Sequence, residues 1–227
     1  MTNLVLYDVL LTLDTAELRR FGKFVRSPFF THRSEMERMF ACLAACRYKN
    51  KPLPGKEQLF KKSFPGQDYD DLLLRATMSD LRELMEEFLI WQKLRSDVVR
   101  SKLALASEYR DRNLGKFFLQ TMKRVEARLE NETVANADYL AQVLDFQIEK
   151  AQFQIRTVRA GELPLQDISN SLDTLYLAQK LRHACTQLSH QAVFKTSYDF
   201  GLLPNILAEA DREKFLAVPA IALYYYC

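Results

Sequence analysis

Between Gln67 and Ala160 the apolar side chains recur at steps of three and four rather than two, over a stretch with no proline and the single glycine Gly115. Such spacing places them on one side of an α-helix, whereas a strand alternates. Leu74, Met78, Leu81, Met85 and Phe88 form one stripe, with Thr77, Leu84 and Trp91 beside it. A helix over about residues 69–94 that is apolar across so wide an arc packs on two neighbours. A further helix carries Val99, Leu103, Ala106 and Tyr109, Asn113-Leu114-Gly115 reads as a short turn, and Leu114, Phe118, Met122, Val125 and Leu129 mark the next stripe. Over residues 136–158 two stripes share one helix. Leu140, Leu144, Ile148, Ala151 and Ile155 make the first, and Tyr139, Val143, Phe146 and Phe153 the second. A helix apolar on two sides is an inner helix, so Leu144, Phe146 and Ile148 are expected to be buried.

Punctuation residues divide the rest. Asp14-Thr15-Ala16-Glu17 reads as a capping box, in which Asp14 accepts from the first turn and Glu17 reaches back. Ser27-Pro28 ends that helix, because the residue before proline is pushed out of the α region. Thr31 is placed to cap the next, with Met36, Phe40 and Leu43 inward. Residues 49–55, with Pro52, Pro54 and Gly55, are the most loop-like stretch, and Phe64-Pro65-Gly66 is a tight turn. Ala160-Gly161-Glu162-Leu163-Pro164 is a stop and restart. The helix after it carries Leu172, Leu175, Ala178, Leu181, Cys185, Leu188 and Ala192 on one face. Phe200-Gly201-Leu202-Leu203-Pro204 breaks the chain again, and Val218-Pro219 opens a last apolar segment.

About nine helices with no strand signal give an all-α fold, either a solenoid of stacked helix pairs or an irregular helical bundle. The two-sided helices favour an α-α superhelix, although a strict tetratricopeptide period is missing. Composition agrees, since only six Gly and seven Pro in 227 residues leave few turns for hairpins. The expected division is an N-terminal helical module over residues 1–95 and a helical-repeat region over residues 96–227.

Val25-Arg26-Ser27-Pro28-Phe29-Phe30, the run from Met78 through Leu81, Leu84 and Met85 to Leu89, and the run from Leu172 through Leu175 and Ala178 to Arg182 resemble segments of uncharacterised bacterial all-α proteins with a tetratricopeptide-like helical superhelix. The resemblance implies that fold and a scaffold role, and brings no catalytic residue with it.

Charge adds a local signal. The chain carries 32 Lys+Arg against 29 Asp+Glu, too near balance to coat nucleic acid or anionic lipid along its whole surface. Residues 1–100 hold 17 basic and 14 acidic side chains, so the whole surplus lies there. Arg47, Lys49, Lys51, Lys56, Lys61 and Lys62 crowd sixteen residues against the single acid Glu57, while Arg19, Lys23 and Arg26 line one face of the capped helix. Phosphate contact is one reading. A helix-turn-helix around Phe64-Pro65-Gly66 would bring Asp68, Asp70 and Asp71 against phosphates, which argues for helix capping there instead. An acidic protein segment is the preferred partner of this basic stretch, with nucleic acid second.

Tyr176, Lys180, His183, Gln187 and His190 share a second polar helix face, with Asp173 before them. His183 and His190 lie seven apart, not at the i, i+4 spacing of a metal pair, so a partner-facing surface is the better reading. Cys42, Cys46, Cys185 and Cys227 follow no CxxC or disulfide framework and read as free thiols in a reducing cytosol. Asp8 and Asp14 interrupt the apolar N-terminus, unlike a signal peptide, and no apolar run reaches the ~18 residues of a spanning helix. The Asn131-Glu132-Thr133 sequon therefore reads as chance. No glycine-rich phosphate loop, nucleophile elbow or dinucleotide fingerprint occurs in the sequence. The expectation is a non-catalytic, cytoplasmic protein- or peptide-binding scaffold without cofactor or metal. Residues 215–227 are almost wholly apolar or aromatic and carry no charge, which leads to the expectation that further repeats follow Cys227.

Overall fold

A computed structural model describes residues 2–30, 33–132, 135–157 and 163–227. Thr31 as a cap, Thr133 of the sequon and the Ala160-Gly161-Glu162 stop lie outside the described residues. Among those described, twelve α-helices and no strand occur, so the chain is all-helical. It divides into two compact units, Met1–Ser96 and Asp97–Cys227.

The first unit is a bundle of α1 (Thr2–Thr12), α2 (Thr15–Val25), α3 (Ser34–Tyr48), α4 (Lys56–Ser63) and α5 (Asp71–Ser96). α5 is the hub against which the other four pack. The stripe read from the sequence is its inner face: Leu74, Thr77, Met78, Leu81, Leu84, Met85 and Phe88 are all buried, whereas Trp91 is 43% exposed. Phe88 meets Phe21 of α2 with ring centres 5.3 Å apart, and Phe21 meets Phe40 of α3 edge-on at 5.0 Å. The capping box forms as expected. Asp14 Oδ1 accepts from the Glu17 amide at 2.7 Å, and the Asp14 amide donates to Glu17 Oε2 at 2.9 Å.

One element had no reading from the sequence, and one cap differs from expectation. α1 is a helix, although its apolar residues cover nearly every side and so show no clear period. Leu6, Leu10 and Leu13 enter the core while Val5 and Leu11 stay about half exposed. The residue at the N-cap of α3 is Arg33, which makes no side-chain cap. Its guanidinium instead donates to Glu35 at 2.8 Å, to Thr77 at 3.2 Å and to Asp80, tying the start of α3 to α5. The Arg33 bond holds the Glu35 carboxyl below its usual range. The acidic start of α5 caps as read from the sequence, Asp70 Oδ1 accepting from the amides of Leu72 at 2.8 Å and Leu73 at 3.1 Å.

The second unit holds α6 (Val98–Asp111), α7 (Gly115–Glu130), α8 (Ala137–Thr157), α9 (Leu165–Phe194), α10 (Leu203–Ala210), α11 (Glu213–Leu216) and α12 (Pro219–Tyr225). Asn113 turns the chain between α6 and α7 with φ 58°, a conformation that Asn tolerates better than most residues. Successive helices pack in layers: α6 and α7 together, then α8, then α9, then α10 and α12. α8 is therefore covered on two sides. Tyr139, Val143, Phe146 and Phe153 join the core with α6 and α7, Phe153 stacking on Phe118 at 4.1 Å. Ala137 and Leu140 join a separate core with α9, α10 and α12.

Several stripe residues correct the expectation. Leu144 and Ala151 are buried, but Ile148 is half-buried and Ile155 is 58% exposed. Leu114 stands outside the start of α7, 39% exposed. On α9 the buried set is Leu177, Ala178, Leu181 and Ala184, while Leu172 and Leu188 are about half exposed and Ala192 is exposed. α9 runs for 30 residues, about 45 Å at 1.5 Å each, whereas α10 and α12 are only 8 and 7 residues long and cover a short part of it.

α6 and α8 also share a near-buried ion pair. Arg110 donates from Nε to Glu149 Oε1 at 2.5 Å and from Nη2 to Glu149 Oε2 at 3.4 Å, the two side chains being 9% and 13% exposed. The Glu149 bond raises the Arg110 pKa further above its already high value. Removing one partner of such a pair leaves the other without its counter-charge. Asp111 and Ser107 also receive Arg110 at 2.8 and 2.9 Å and soften the loss. Glu149→Ala should then destabilise the second unit by about 2 kcal/mol, read as a lower denaturation midpoint in urea. An unchanged midpoint would mean that the pair contributes nothing net to folding.

Candidate functional site

α2, α3 and α4 carry the charge excess. Over residues 15–66 the sequence has twelve basic and four acidic side chains. Four of the twelve work inside the fold. Arg33 serves the network above. Arg38 donates to the Ser63 carbonyl at 2.8 Å and to Ser34 Oγ at 3.0 Å. Arg47 and Lys56, expected in the exposed basic patch, are committed elsewhere. Arg47 Nη2 donates to the Leu11 and Leu13 carbonyls at 3.1 and 3.4 Å, satisfying acceptors that the end of α1 leaves open. Lys56 meets Asp71 at 2.8 Å, and this lysine together with Tyr69 holds the Asp71 carboxyl below its usual range.

The other eight are Arg19, Arg20, Lys23, Arg26, Lys49, Lys51, Lys61 and Lys62. All are exposed, and none forms an ion pair among the described residues. Their placement follows from local sequence. α2 repeats a basic residue at 19, 23 and 26, steps of four and three, which bring Arg19, Lys23 and Arg26 onto one face around Gly22. Lys49 and Lys51 sit in the loop after α3, and Lys61 and Lys62 end α4, where cations meet the negative end of the helix dipole.

Beside the α2 cations lies a groove of about 470 Å³ between α2 and α3. Its wall on α2 is Leu18, Arg19, Gly22, Lys23 and Arg26, and its α3 side is Phe40, Ala41, Ala44, Ala45 and Tyr48. Small residues make it. Ala41, Ala44 and Ala45 fall on adjacent turns of α3 and leave the surface low, while Tyr48, 49% exposed, closes one end. Gly22 sets the helix spacing, because a Cβ there would come within 2.9 Å of Phe40 Cε1. Arg19, Lys23 and Arg26 were visible in the sequence as a basic face. The groove was not, although a glycine inside a helix and three alanines at 41, 44 and 45 are its only sequence signals.

The polar stripe of α9 is less open than its pattern implies. His183 and Tyr176 are exposed, and Lys180 and Gln187 are half-buried. His190 Nδ1 lies 2.8 Å from the Tyr198 hydroxyl, and its ring stacks on Phe194 at 4.4 Å. Part of the stripe thus holds the segment after α9 in place. A depression of about 610 Å³ in the second unit is lined by Glu126, Phe146, Lys150, Gln154, Gln166 and Asp167 among others. Both charge signs occur there, and Lys150 is matched by Glu126 at 3.8 Å and by the Phe146 ring at 5.8 Å.

The four cysteines are free thiols. Cys42 is buried between α3 and its neighbours, and burial pushes its thiol up, away from a reactive thiolate. Burial raises Cys185 as well, with the Cys227 thiol beside it. Among the described residues no cluster of His, Cys, Asp and Glu could hold a metal ion, and no helix is long and apolar enough to cross a membrane. Comparison of the chain with protein-family models, with curated proteins and with solved structures finds no match.

Proposed function

We propose that the protein is a non-catalytic helical scaffold of the cytoplasm that binds an acidic protein or peptide on the cationic face of its first unit. The observation that carries this reading is the set of eight exposed cations on and between α2, α3 and α4 that form no ion pair among the described residues. Like charges close together without counter-charges, as Arg19, Lys23 and Arg26 are on α2, repel one another and disfavour the compact state, a cost that an anionic partner relieves. The layered helices of the second unit, α6 with α7 and α8 with α9, are compatible with a superhelix of helix pairs, the fold that the resemblance to bacterial tetratricopeptide-like proteins implies. Tyr176, Lys180, His183 and Gln187 on α9 form a secondary polar surface in this reading.

Nucleic acid is the competing partner, since eight cations also suit phosphates. Asp68, Asp70 and Asp71 beside α4 count against insertion of α5 into a groove. Fluorescence anisotropy with a labelled peptide of alternating Glu and Ala blocks, about 18 residues long, and with a DNA duplex of similar length separates the two. The peptide should bind at micromolar concentration, while the duplex should bind more weakly and be lost steeply as salt rises. Tight duplex binding with no peptide binding would overturn the proposal.

A further inference from the structure

The cationic face is not flat, and its shape narrows the kind of partner. Building on the acidic-partner reading, we infer that the α2–α3 groove seats an α-helix of the partner, with its acidic residues against Arg19, Lys23 and Arg26 and its small residues over Ala41 and Ala45.

Three features of the groove point to a helix. Its two walls are themselves helices packed side by side, and the trough between two such helices is the natural seat of a third. Its floor is built from Ala41, Ala44 and Ala45, with Phe40 beneath, so no large side chain stands between an incoming backbone and the α3 surface. Ala44 is buried, whereas Ala41 and Ala45 are exposed. Short side chains of this kind let helix axes come close, as the contact of Gly22 with Phe40 already does between α2 and α3.

The cations supply direction and charge. Arg19, Lys23 and Arg26 are spaced at four and three residues, so they form a row along α2 rather than a cluster at one point. A partner helix with Glu or Asp at the same three- and four-residue steps would match the row, one carboxylate to each cation. An extended acidic strand presents its side chains alternately to opposite faces, so half of its carboxylates would point away from α2. The Tyr48 ring at one end offers an aromatic contact at the rim of the groove.

The experiment uses the intact 227-residue chain and two labelled peptides of the same composition, about 18 residues of Glu and Ala with two prolines. In one peptide both prolines stand at the N-terminal end and the rest is helical; in the other they interrupt the middle. The helical peptide should bind at least tenfold more tightly. Ala45→Trp, which fills the trough at an exposed position, should weaken that binding at least tenfold, with Ala41→Trp as an independent second filling; far-UV circular dichroism and the melting temperature of each variant should match the parent. Equal binding of the two peptides, or full binding by both folded tryptophan variants, would overturn the groove assignment while leaving the acidic-partner reading intact. Failure of both peptides to bind the parent chain would overturn both.

Discussion

Leu144→Asp should lower the stability of the second unit by about 3–5 kcal/mol, the loss that accompanies an unpaired charge placed in a packed site. Leu144 is 7% exposed on α8, which is covered by α6 and α7 on one side and by α9 on the other. An aspartate there must either lose its hydration as an anion or be protonated, and protonating it carries its own free-energy cost at neutral pH. Ile148→Asp, one turn further along the same stripe, should cost about 1–2 kcal/mol, because Ile148 is only half-buried and its carboxylate can reach water. Thermal melts followed by circular dichroism decide both. At about 2–4 °C per kcal/mol for a chain of this size, Leu144→Asp should lower the transition of the second unit by roughly 10 °C. An unchanged transition would sink the assignment of α8 as an inner layer, and equal losses at the two positions would contradict the difference in their burial.

How far the sequence foretold the fold depends on helix length and on how many neighbours each helix has. α5 and α7 are long, with one dominant apolar arc, and nearly every residue of their stripes is buried. α8 was legible as an inner helix because its two stripes diverge around the axis, and Tyr139, Val143, Phe146 and Phe153 duly meet α6 and α7. α1 was not legible: Leu4, Val5, Leu6, Val9, Leu10 and Leu11 leave no polar face from which a period could be read. On α9 the period was right and the burial was not. Periodicity assigns a face, but only the length of the covering helices decides how much of it is covered, and α10 and α12 are too short for Leu188 and Ala192.

The candidate site divides in the same way. The basic residues were countable from the sequence, and the face formed by Arg19, Lys23 and Arg26 follows from helical spacing alone. Which cations are available does not. Arg47 is drawn to the end of α1, 34 to 36 residues away in the chain, and Lys56 to Asp71 across the α4–α5 turn. Both are tertiary pairings that no local pattern encodes. The groove depends on the register of α2 against α3, which Gly22 and Phe40 set together, so its two sequence signals acquire meaning only once the helices are side by side.

The availability of those cations leads to the largest expected effect on binding. Reversing Arg19, Lys23 and Arg26 together to glutamate should weaken association with the helical acidic peptide by about two orders of magnitude, or roughly 3 kcal/mol, as three attractions become repulsions. The same change should leave folding almost untouched. None of the three forms an ion pair among the described residues, so no partner described there is orphaned. Near the end of α2, glutamates at 23 and 26 meet the helix dipole unfavourably, at about 0.3–1 kcal/mol each. Relief of repulsion within a segment of twelve basic and four acidic residues acts in the opposite sense and offsets part of that loss. Isothermal titration with the peptide and a thermal melt of the same sample read the two quantities separately. Reversal of Lys61 and Lys62 on α4, outside the groove lining, should weaken binding by less than tenfold. Should the α4 pair matter more than the α2 row, the partner lies over α4 and the α2–α3 groove is not its seat; should the triple variant bind as well as the parent, the cationic face is not the binding surface at all.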